Sequence, residues 1–532
     1  MLLRGLIILK MHKKIKNFSL FLILLFTVYC AFNIGIHWDA TLHLKMGKAK
    51  LDYLFSLGEI NRDLFVGAKF FPGLSFAITA FFTKFFPSNY EFEVLHLSNL
   101  FFSLSGVLGI YKLSKILFNK KVAEIVFIVL IFFPVFFGHM SVNPKDTVIA
   151  MSFVWINYYT FKYFINDNSS KKIRYIIKIS IFIALGCGIR IIFPAILLPL
   201  IFFIILEIFF FKKIISKNFK KLIFFFDVIK IFIFSYSILL VFWTQTHSNV
   251  LIYPFKFLLE TFTNTPVAVP ANLIFGDFFL IKDTPKYYII FNLFFKTPEY
   301  IVFLYLISIY VLIKHNNFFT QNFKNFNYKL FYLLAILILS NIIFILSPIK
   351  FYDGLRLILY LFPFFVIIPS LILYFISANI NKVHYKILTF LIIILVFNCL
   401  IKFFYLTPYQ YVYLNNFAGK TINNNLKFEN DYLGTSIKEL ISKSKFLNSK
   451  DTRITFCGIE KKNLKHYLKK YKFSKVLVVR PDEKPDYVIM TNRVNWSVTN
   501  SQNGETCFKS YKGKTISTVS RYGLILSKIN KF

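Results

Sequence analysis

The chain has 532 residues, of which 56% are hydrophobic, and it contains 71 Phe and 31 Tyr. A soluble protein of this length has too little interior for so many apolar and aromatic side chains, so the composition excludes an ordinary soluble enzyme. The net charge of +38 does not indicate nucleic-acid binding, because the basic residues form short clusters between long apolar runs.

Apolar runs long enough to cross a bilayer, about 17–25 residues each, follow one another along the chain. They lie at 17–36, 93–117, 122–138, 147–165, 175–190, 191–211, 222–244, 287–313, 329–347, 355–376 and 386–405. A twelfth run at 68–87 contains Pro72, Gly73 and Lys84, and it could either cross the membrane or lie on its surface. These runs predict an α-helical polytopic membrane protein.

The distribution of basic residues predicts how the spans are oriented. Lys13, Lys14 and Lys16 precede the first span and indicate a cytoplasmic N-terminus. If the run at 68–87 does not cross, the later basic clusters at 112–121, 171–174, 212–221, 314–329 and 382–386 all face the cytoplasm. If it crosses, they all face outward. The consistent prediction is about eleven transmembrane helices in the inner (plasma) membrane, with the C-terminal end in the periplasm.

The last part of the chain is polar and differs from the rest. It has strand-like runs at 452–457, 475–480 and 486–490 and a helical stretch near 435–446. We therefore predict a multi-span membrane domain at 1–405, with a first outer loop at 37–92, and a small extracytoplasmic α/β domain at 406–532. Lys450 is a suitable position for labelling that domain from outside. Cys457 and Cys507 both lie in it and could pair in an oxidising compartment.

Polar residues at the membrane edge gather on the predicted outer side. Charged side chains at membrane depth are costly, so they usually face a cavity or one another. Carboxylates mixed with Arg and Lys can hold an anion and take up a proton. These residues are Asp39 after the first span, Asn143, Lys145 and Asp146 before the run at 147–165, Arg190, Lys296, and Tyr352, Asp353 and Arg356.

Plainer interpretations of these residues remain open. Asp39 could be a solvated loop residue, and Asp146 could be the N-cap of the following helix. Arg190 and Arg356 could be interfacial anchors. Histidines such as His43 are usually satisfied interfacial residues rather than proton carriers.

Several short segments together resemble the GT-C superfamily of polyprenyl-phosphate-sugar-dependent glycosyltransferases, in the branch of protein O-mannosyltransferases and lipid A aminoarabinose transferases. The segment Trp38-Asp39-Ala40-Thr41-Leu42-His43 follows the first span, and Asn143-Pro144-Lys145-Asp146 precedes the fourth. The first-loop acidic pair Asp-Glu of the family is Asp39-Ala40 here. Further segments that resemble bacterial members are Gly188-Ile189-Arg190, 295–298, 352–356, 407–415 and 428–434.

The resemblance implies a role for each polar residue. Asp39 matches the catalytic acid-base residue of the family, and Asp146 matches its second-loop acidic position. The implied ligands of the donor phosphate are Lys145, Arg190, Lys296 and Arg356, and the implied substrate contacts are His43, Asn143, Tyr352 and Asp353. The resemblance implies no cofactor, and this branch generally works without a metal, although a divalent metal is not excluded.

The predicted function is transfer of a sugar from a polyprenyl-phosphate donor to a protein, lipid or glycan acceptor, with the lipid bilayer as a further partner and no nucleic acid. The residues themselves indicate neither the sugar nor the acceptor. One alternative is a transporter or flippase of a lipid-linked glycan, which would favour paired halves with broken helices, and no such internal symmetry is visible. Another is a non-catalytic assembly or binding protein, which would not need Asp39 and Asp146 to converge.

Overall fold

The structure is a computed structural model, and it describes residues 2–61, 66–264, 271–347, 351–419, 427–448, 451–495 and 505–532. Most of the described chain before residue 406 is helical. Its helices are α1 Leu2–Asn33, α2 Ala40–Phe55, α3 Leu74–Thr83, α4 Glu91–Leu117, α5 Lys120–Ile131, α6 Pro134–His139, α7 Asp146–Ile165, α8 Ser169–Ile189, α9 Phe193–Ile196, α10 Leu198–Leu206, α11 Lys221–Phe242, α12 Tyr253–Asn264, α13 Tyr287–Lys296, α14 Glu299–Lys314, α15 Asn316–Asn322, α16 Phe326–Leu346, α17 Phe362–Phe365, α18 Ile367–Ala378 and α19 Val383–Tyr405.

Six described helical segments are long and apolar enough to cross a membrane, or seven if the bent pair α13 and α14 is one span. The six lie at Lys14–Asn33, Ser88–Leu117, Lys221–Phe242, Phe326–Leu346, Arg356–Ala378 and Val383–Tyr405. The predicted count of about eleven therefore stays a prediction. The run at 68–87 contains the end of a short 3₁₀ helix, Val66–Phe70, and then the ten-residue helix α3. A helix of that length extends about 15 Å, half of a bilayer core, so it does not cross by itself.

Prolines break two of the runs that the sequence presents as continuous. The run at 122–138 is divided into α5 and α6 just before Pro134. Between α13 and α14, Thr297 has extended backbone angles and Pro298 follows it, and the two helices meet at 110°. Proline has no N–H to donate and forces its predecessor out of the helical region, which explains both breaks.

Helix α7 is central to the part of the fold that builds the site. It packs against α4, α8 and the turn at Arg356–Leu361. Close packing against α4 depends on Gly106, because a Cβ there would lie 3.2 Å from the Cα of Met151. This packing brings the beginning of α7, the end of α8 and Arg356 to the same end of the bundle.

The C-terminal region contains a five-stranded mixed sheet in the order β4-β3-β5-β7-β6. The strands β3 and β4 are parallel, as are β3 and β5, whereas β7 pairs antiparallel with β5 and β6. The predicted strands at 452–457, 475–480 and 486–490 correspond to β3, β4 and β5, whereas β6 and β7 were not predicted. The elements are β3 Thr452–Cys457, β4 Val476–Val478, β5 Tyr487–Thr491, β6 Lys514–Arg521, β7 Leu524–Lys531, α20 Ile437–Lys443, α21 Lys461–Lys470 and α22 Cys507–Ser510.

Cys457 and Cys507 form a disulfide, so the pairing that the sequence left open is present in the structure. A smaller two-stranded sheet, β1 Ala271–Ile274 and β2 Asp277–Leu280, lies between α12 and α13.

Helix α21 docks the C-terminal region onto the loop after α1. The hydroxyl of Tyr467 accepts a hydrogen bond from the amide of Ile36 (2.5 Å), and Asn463 Nδ2 donates to the carbonyl of His37 (3.0 Å). Lys470 Nζ lies 2.5 Å from Glu93 Oε1, near the beginning of α4. The C-terminal region therefore lies directly beside the residues that lead into Asp39.

Candidate active site

Asp39 lies between α1 and α2, at the N-cap position of α2, but its side chain makes no capping hydrogen bond. Its Oδ2 instead lies 2.8 Å from Nζ of Lys145, and a quarter of the Asp39 side chain remains exposed. Burial by itself would raise the pKa of this carboxyl, but Lys145 and more distant charges outweigh that effect and hold the pKa well below its usual range. Asp39 is therefore an ionised carboxylate that does not cap the helix and that remains partly accessible.

Asp146 is the first residue of α7 and is almost fully buried. Its two oxygens accept from two arginines: Oδ1 from Arg190 (3.0 Å) and Oδ2 from Nε of Arg356 (3.1 Å). The interpretation of Asp146 as a helix N-cap is wrong, because Lys145 occupies that position. Asn143 supports the turn through its Oδ1, which accepts from the Asp146 amide (3.1 Å), and its Nδ2, which donates to Asp146 Oδ2 (2.9 Å).

Asp353 connects Arg356 to the C-terminal region. Its Oδ2 accepts from Arg356 (2.6 Å) and its Oδ1 from Arg493 (3.2 Å). The guanidinium of Arg356 also lies over the ring of Tyr352, 5.4 Å from its centre. Asp353 has φ 54° and Gly354 has φ 67°, so this turn uses the left-handed region twice, which is unusual for Asp353.

Lys296 and Glu429 lie near Asp353 and near each other. The ammonium of Lys296, at the end of α13, lies 5.1 Å from the centre of the Tyr432 ring. Glu429 is buried, and one of its oxygens has no hydrogen-bond partner among the described residues. Burial raises the pKa of Glu429 to about 7, although Arg493 and Lys296 act in the opposite direction.

The predicted substrate residue His43 is buried beside the site. Its Nδ1 lies 3.4 Å from Nε2 of His37, and its ring stacks on Phe76 at 4.4 Å. Burial lowers the pKa of His37 to about 3, and burial together with Lys145 lowers that of His43 well below its usual value. Both histidines are therefore neutral at physiological pH.

The structure brings the predicted residues together in one connected cluster. Ion pairs and hydrogen bonds link Asp39 to Lys145, Asp146 to Asn143, Arg190 and Arg356, and Arg356 in turn to Asp353. Tyr352 and Lys296 lie against the same cluster. The roles assigned to these residues stay predictions. The predicted set did not include Arg493, Glu429 and Tyr432. Glu429 and Tyr432 belong to the segment at 428–434 that resembles the family, whereas the only sequence signal at Arg493 is that arginine is scarce in this lysine-rich chain.

No group of three or more His, Cys, Asp or Glu side chains could hold a metal ion in the part of the chain that the structure describes. The charged site combines one partly exposed carboxylate with several cations. This combination suits binding of an anionic group and removal of a proton beside it. Metal dependence is not decided by this arrangement.

The sequence matches no protein-family model and no curated protein. Solved structures do match. ArnT from Cupriavidus metallidurans bound to undecaprenyl phosphate aligns with a TM-score of 0.51 and 9% identity, covering 96% of this chain and 97% of that chain. Its apo state gives a TM-score of 0.51 and 10% identity over 97% and 98% of the two chains.

An archaeal oligosaccharyltransferase from Archaeoglobus fulgidus is less similar, with a TM-score of 0.46 and 11% identity over 87% of this chain and 64% of that chain. The likeness to ArnT covers nearly the whole of both chains, and it concerns the fold. The chain therefore shares the fold of ArnT, as its sequence resemblance to the lipid A aminoarabinose transferases of the GT-C superfamily predicts.

Proposed function

We propose that this protein is a membrane glycosyltransferase that transfers a sugar, a hexose or a pentose, from a polyprenyl-phosphate donor to a protein, lipid or glycan acceptor. The observation that carries the proposal is the position of Asp39, an ionised and partly exposed carboxylate paired with Lys145. Lys145 is followed directly by Asp146, which holds Arg190 and Arg356. A proton acceptor thus lies beside a group of cations. The undecaprenyl phosphate in the ArnT structure supports the donor class.

In the proposed reaction, an acceptor hydroxyl attacks the anomeric carbon of the donor sugar. The new bond joins the acceptor oxygen to that carbon, the bond between the carbon and the phosphate oxygen breaks, and the phosphate takes the electron pair. Asp39 receives the hydroxyl proton, while Arg190 and Arg356 stabilise the charge of the departing phosphate. Polyprenyl phosphate needs no protonation to leave, so the reaction requires a base more than an acid.

Lys145 couples donor binding to the strength of this base. A carboxylate paired with an ammonium 2.8 Å away is a weak base. A bound donor phosphate would compete with Asp39 for Lys145, and the basicity of Asp39 would rise as that pairing weakens. The base would therefore become effective when the donor is in place.

The proposed arrangement in the cell follows the charge pattern. The protein would cross the plasma membrane about eleven times, with a membrane domain at 1–405 and a periplasmic domain at 406–532. The cluster around Asp39 then opens on the periplasmic side, where a lipid-linked sugar presents its headgroup.

Transport of a lipid-linked glycan is the second candidate. The break between α13 and α14 favours it, because a 110° bend beside Lys296 is a feature of transporter helices. However, the described helices contain one such bent pair, whereas a transporter of repeated halves would have two.

Purified protein in lipid nanodiscs, supplied with a polyprenyl-phosphate sugar and candidate acceptors, distinguishes the two functions. We expect a covalent sugar–acceptor product and release of polyprenyl phosphate in equal amounts. Movement of an intact fluorescent donor between vesicle leaflets, with no released polyprenyl phosphate, would favour the transporter instead.

A further inference from the structure

Arg493 connects the C-terminal sheet to the charged cluster. It lies two residues after β5, is 4% exposed, and reaches three different segments of the chain. Its guanidinium donates to Asp353 Oδ1 (3.2 Å) and to the carbonyl of Tyr432, and it lies over the indole of Trp38, 4.9 Å from the ring centre. One side chain therefore contacts both the residue before Asp39 and the partner of Arg356.

The contact with Trp38 restrains the loop that carries Asp39. The amide of Trp38 donates to the carbonyl of Leu433 (3.0 Å), beside the Tyr432 carbonyl that Arg493 binds. The backbone of Trp38 and its ring are thus both held by the C-terminal region. Because Asp39 is the next residue, the position of its carboxylate depends on these contacts.

The contact with Asp353 restrains the other half of the cluster. The left-handed backbone of Asp353 is unfavourable for a residue with a Cβ, and such a conformation persists when its surroundings fix it. Here the two carboxylate oxygens are each held by a different arginine, Arg356 and Arg493. Without Arg493, the Asp353 carboxylate in the turn before Arg356 would keep a single arginine partner, Arg356 itself.

The backbone of Arg493 is itself anchored beside the disulfide. Its carbonyl accepts from the amide of Cys507 (2.8 Å), and Cys507 is bonded to Cys457 at the end of β3. Gly458 leaves no room for a side chain, because a Cβ there would lie 2.9 Å from the Cβ of Arg493. These contacts with the sheet and the disulfide fix the backbone position from which the long Arg493 side chain extends.

We propose that Arg493 is a positioning residue for the transfer reaction, and that by holding Trp38 and Asp353 together it sets the placement of Asp39 relative to Arg356. This inference rests on the proposed function. It gives the C-terminal region a role in the reaction, because that region would hold the proposed base, Asp39, at a fixed position relative to the proposed phosphate ligand, Arg356.

The first test needs no substrate. Protein labelled with 5-fluorotryptophan gives a fluorine resonance for Trp38, which Trp38→Phe identifies. Arg493→Met should shift or broaden that resonance, because the charge above the indole is lost, and Asp353→Asn should do so to a smaller extent. The matched control is Arg521→Met. Arg521 is another arginine of the sheet, and its side chain contacts Glu439 (2.5 Å), Thr407 and Tyr409 rather than Trp38 or Asp353. Arg521→Met should leave the Trp38 resonance unchanged.

The second test measures the Kd for polyprenyl phosphate by titration. Arg493→Met should raise it about tenfold or more, as expected when a charged side chain that binds phosphate loses its support. Arg493→Lys keeps a charge near Asp353 and should recover part of the affinity, whereas Arg521→Met should bind as the wild type does. If Arg493 had a purely structural role, Arg493→Met would lower the unfolding temperature and leave the Kd for polyprenyl phosphate unchanged.

An unchanged Trp38 resonance, or an unchanged Kd, in folded Arg493→Met would overturn the inference. If the wild type itself binds no polyprenyl phosphate, the proposed function fails instead. The fluorine measurement then still decides whether Arg493 holds the residue before Asp39.

Discussion

The two aspartates Asp39 and Asp146 have different surroundings in the site. Asp39 has one ammonium partner and keeps a quarter of its side chain exposed, whereas Asp146 is buried and accepts from two arginines. A proton acceptor must be reachable by the substrate, and a carboxylate held by two guanidinium groups is better suited to orienting them. We therefore propose Asp39 as the reacting group and Asp146 as the residue that orients Arg190 and Arg356.

Arg356→Ala should weaken donor binding strongly. Arg356 is buried and pairs with both Asp146 and Asp353. Its removal takes a cation from the site and leaves two buried carboxylates with one arginine partner fewer, so the site becomes more negative and repels the phosphate. We expect the Kd for polyprenyl phosphate to rise at least tenfold, measured by titration of purified protein. Arg453→Ala, an exposed arginine on β3, is the control and should bind normally. Normal binding by Arg356→Ala would remove Arg356 from the donor site.

Glu429 should make stability depend on pH. Its folded pKa of about 7 lies above the ordinary value of 4.5, so ionisation is less favourable in the folded state. The stabilisation is complete below pH 4.5 and is lost as pH rises to about 7, at roughly 1.4 kcal/mol per unit of pKa shift. Glu429→Gln should remove this dependence from thermal unfolding curves recorded between pH 4.5 and 7.

Glu439 provides the opposite case for comparison. Burial would raise its pKa, but Arg521 and Lys443 lower it overall, so Glu439 contributes stability at neutral pH that is lost on acidification. Glu439→Gln should leave the loss of stability toward pH 7 in place. If Glu429→Gln also leaves it in place, Glu429 is not its source.

The sequence could predict residues whose position follows from the local motif. Asp39, Asn143, Lys145 and Asp146 lie next to spans that the hydropathy defines, and the charge pattern places them on one side of the membrane. Arg493 could not be found in this way. Its contact with Asp353 joins residues 140 positions apart, and that proximity depends on how the sheet packs on the membrane part.

At the scale of elements, two glycines allow neighbouring segments of the backbone to pack closely, because a Cβ at either position would be too near the facing chain. Gly138 in α6 lies against the turn at Gln410–Val412, and a Cβ there would lie 2.7 Å from the Cα of Tyr411. Gly138→Ala should destabilise the protein by about 1–3 kcal/mol, because backbone on both sides would have to move. Thermal unfolding in detergent measures this.

Gly106→Ala is a graded control for Gly138→Ala. A Cβ at Gly106 would lie 3.2 Å from the Cα of Met151, which requires a movement of only a few tenths of an ångström. We expect a smaller loss of stability. An equal or larger loss at Gly106 would show that the packing of α6 on the turn is not as tight as described.

Hydropathy predicted the existence of most elements but not their breaks. The runs at 122–138 and 287–313 read as continuous apolar segments, and in both the chain bends at a proline. The second break matters for the site, because it ends α13 at Lys296 and directs that side chain toward Tyr432. The strands β6 and β7 were missed because their mixed polar composition gives no clear alternation.

At the scale of the whole molecule, the charge pattern of the sequence predicts that the C-terminal region is extracytoplasmic. Lys450, the labelling position suggested by the sequence, lies outside the described residues, so we choose the exposed Lys445. An introduced Lys445→Cys should react with an impermeant thiol reagent in intact spheroplasts. The described cysteines are either buried or in the disulfide, so background labelling should be low.

Lys171→Cys is the matched control for this labelling. Lys171 is exposed in a predicted cytoplasmic cluster, so it should react only after lysis. Labelling of Lys171→Cys in intact spheroplasts, with Lys445→Cys protected, would reverse the topology.

The most direct test of the central claim is the turnover of Asp39→Asn in sugar transfer from a polyprenyl-phosphate donor. Asparagine keeps the shape of the side chain but cannot take a proton, so turnover should fall about 10²–10⁴-fold while donor binding is largely retained. Asp277 is an exposed aspartate of β2, and Asp277→Asn should transfer sugar normally. Near wild-type turnover by a well-expressed Asp39→Asn would contradict the assignment of Asp39 as the base.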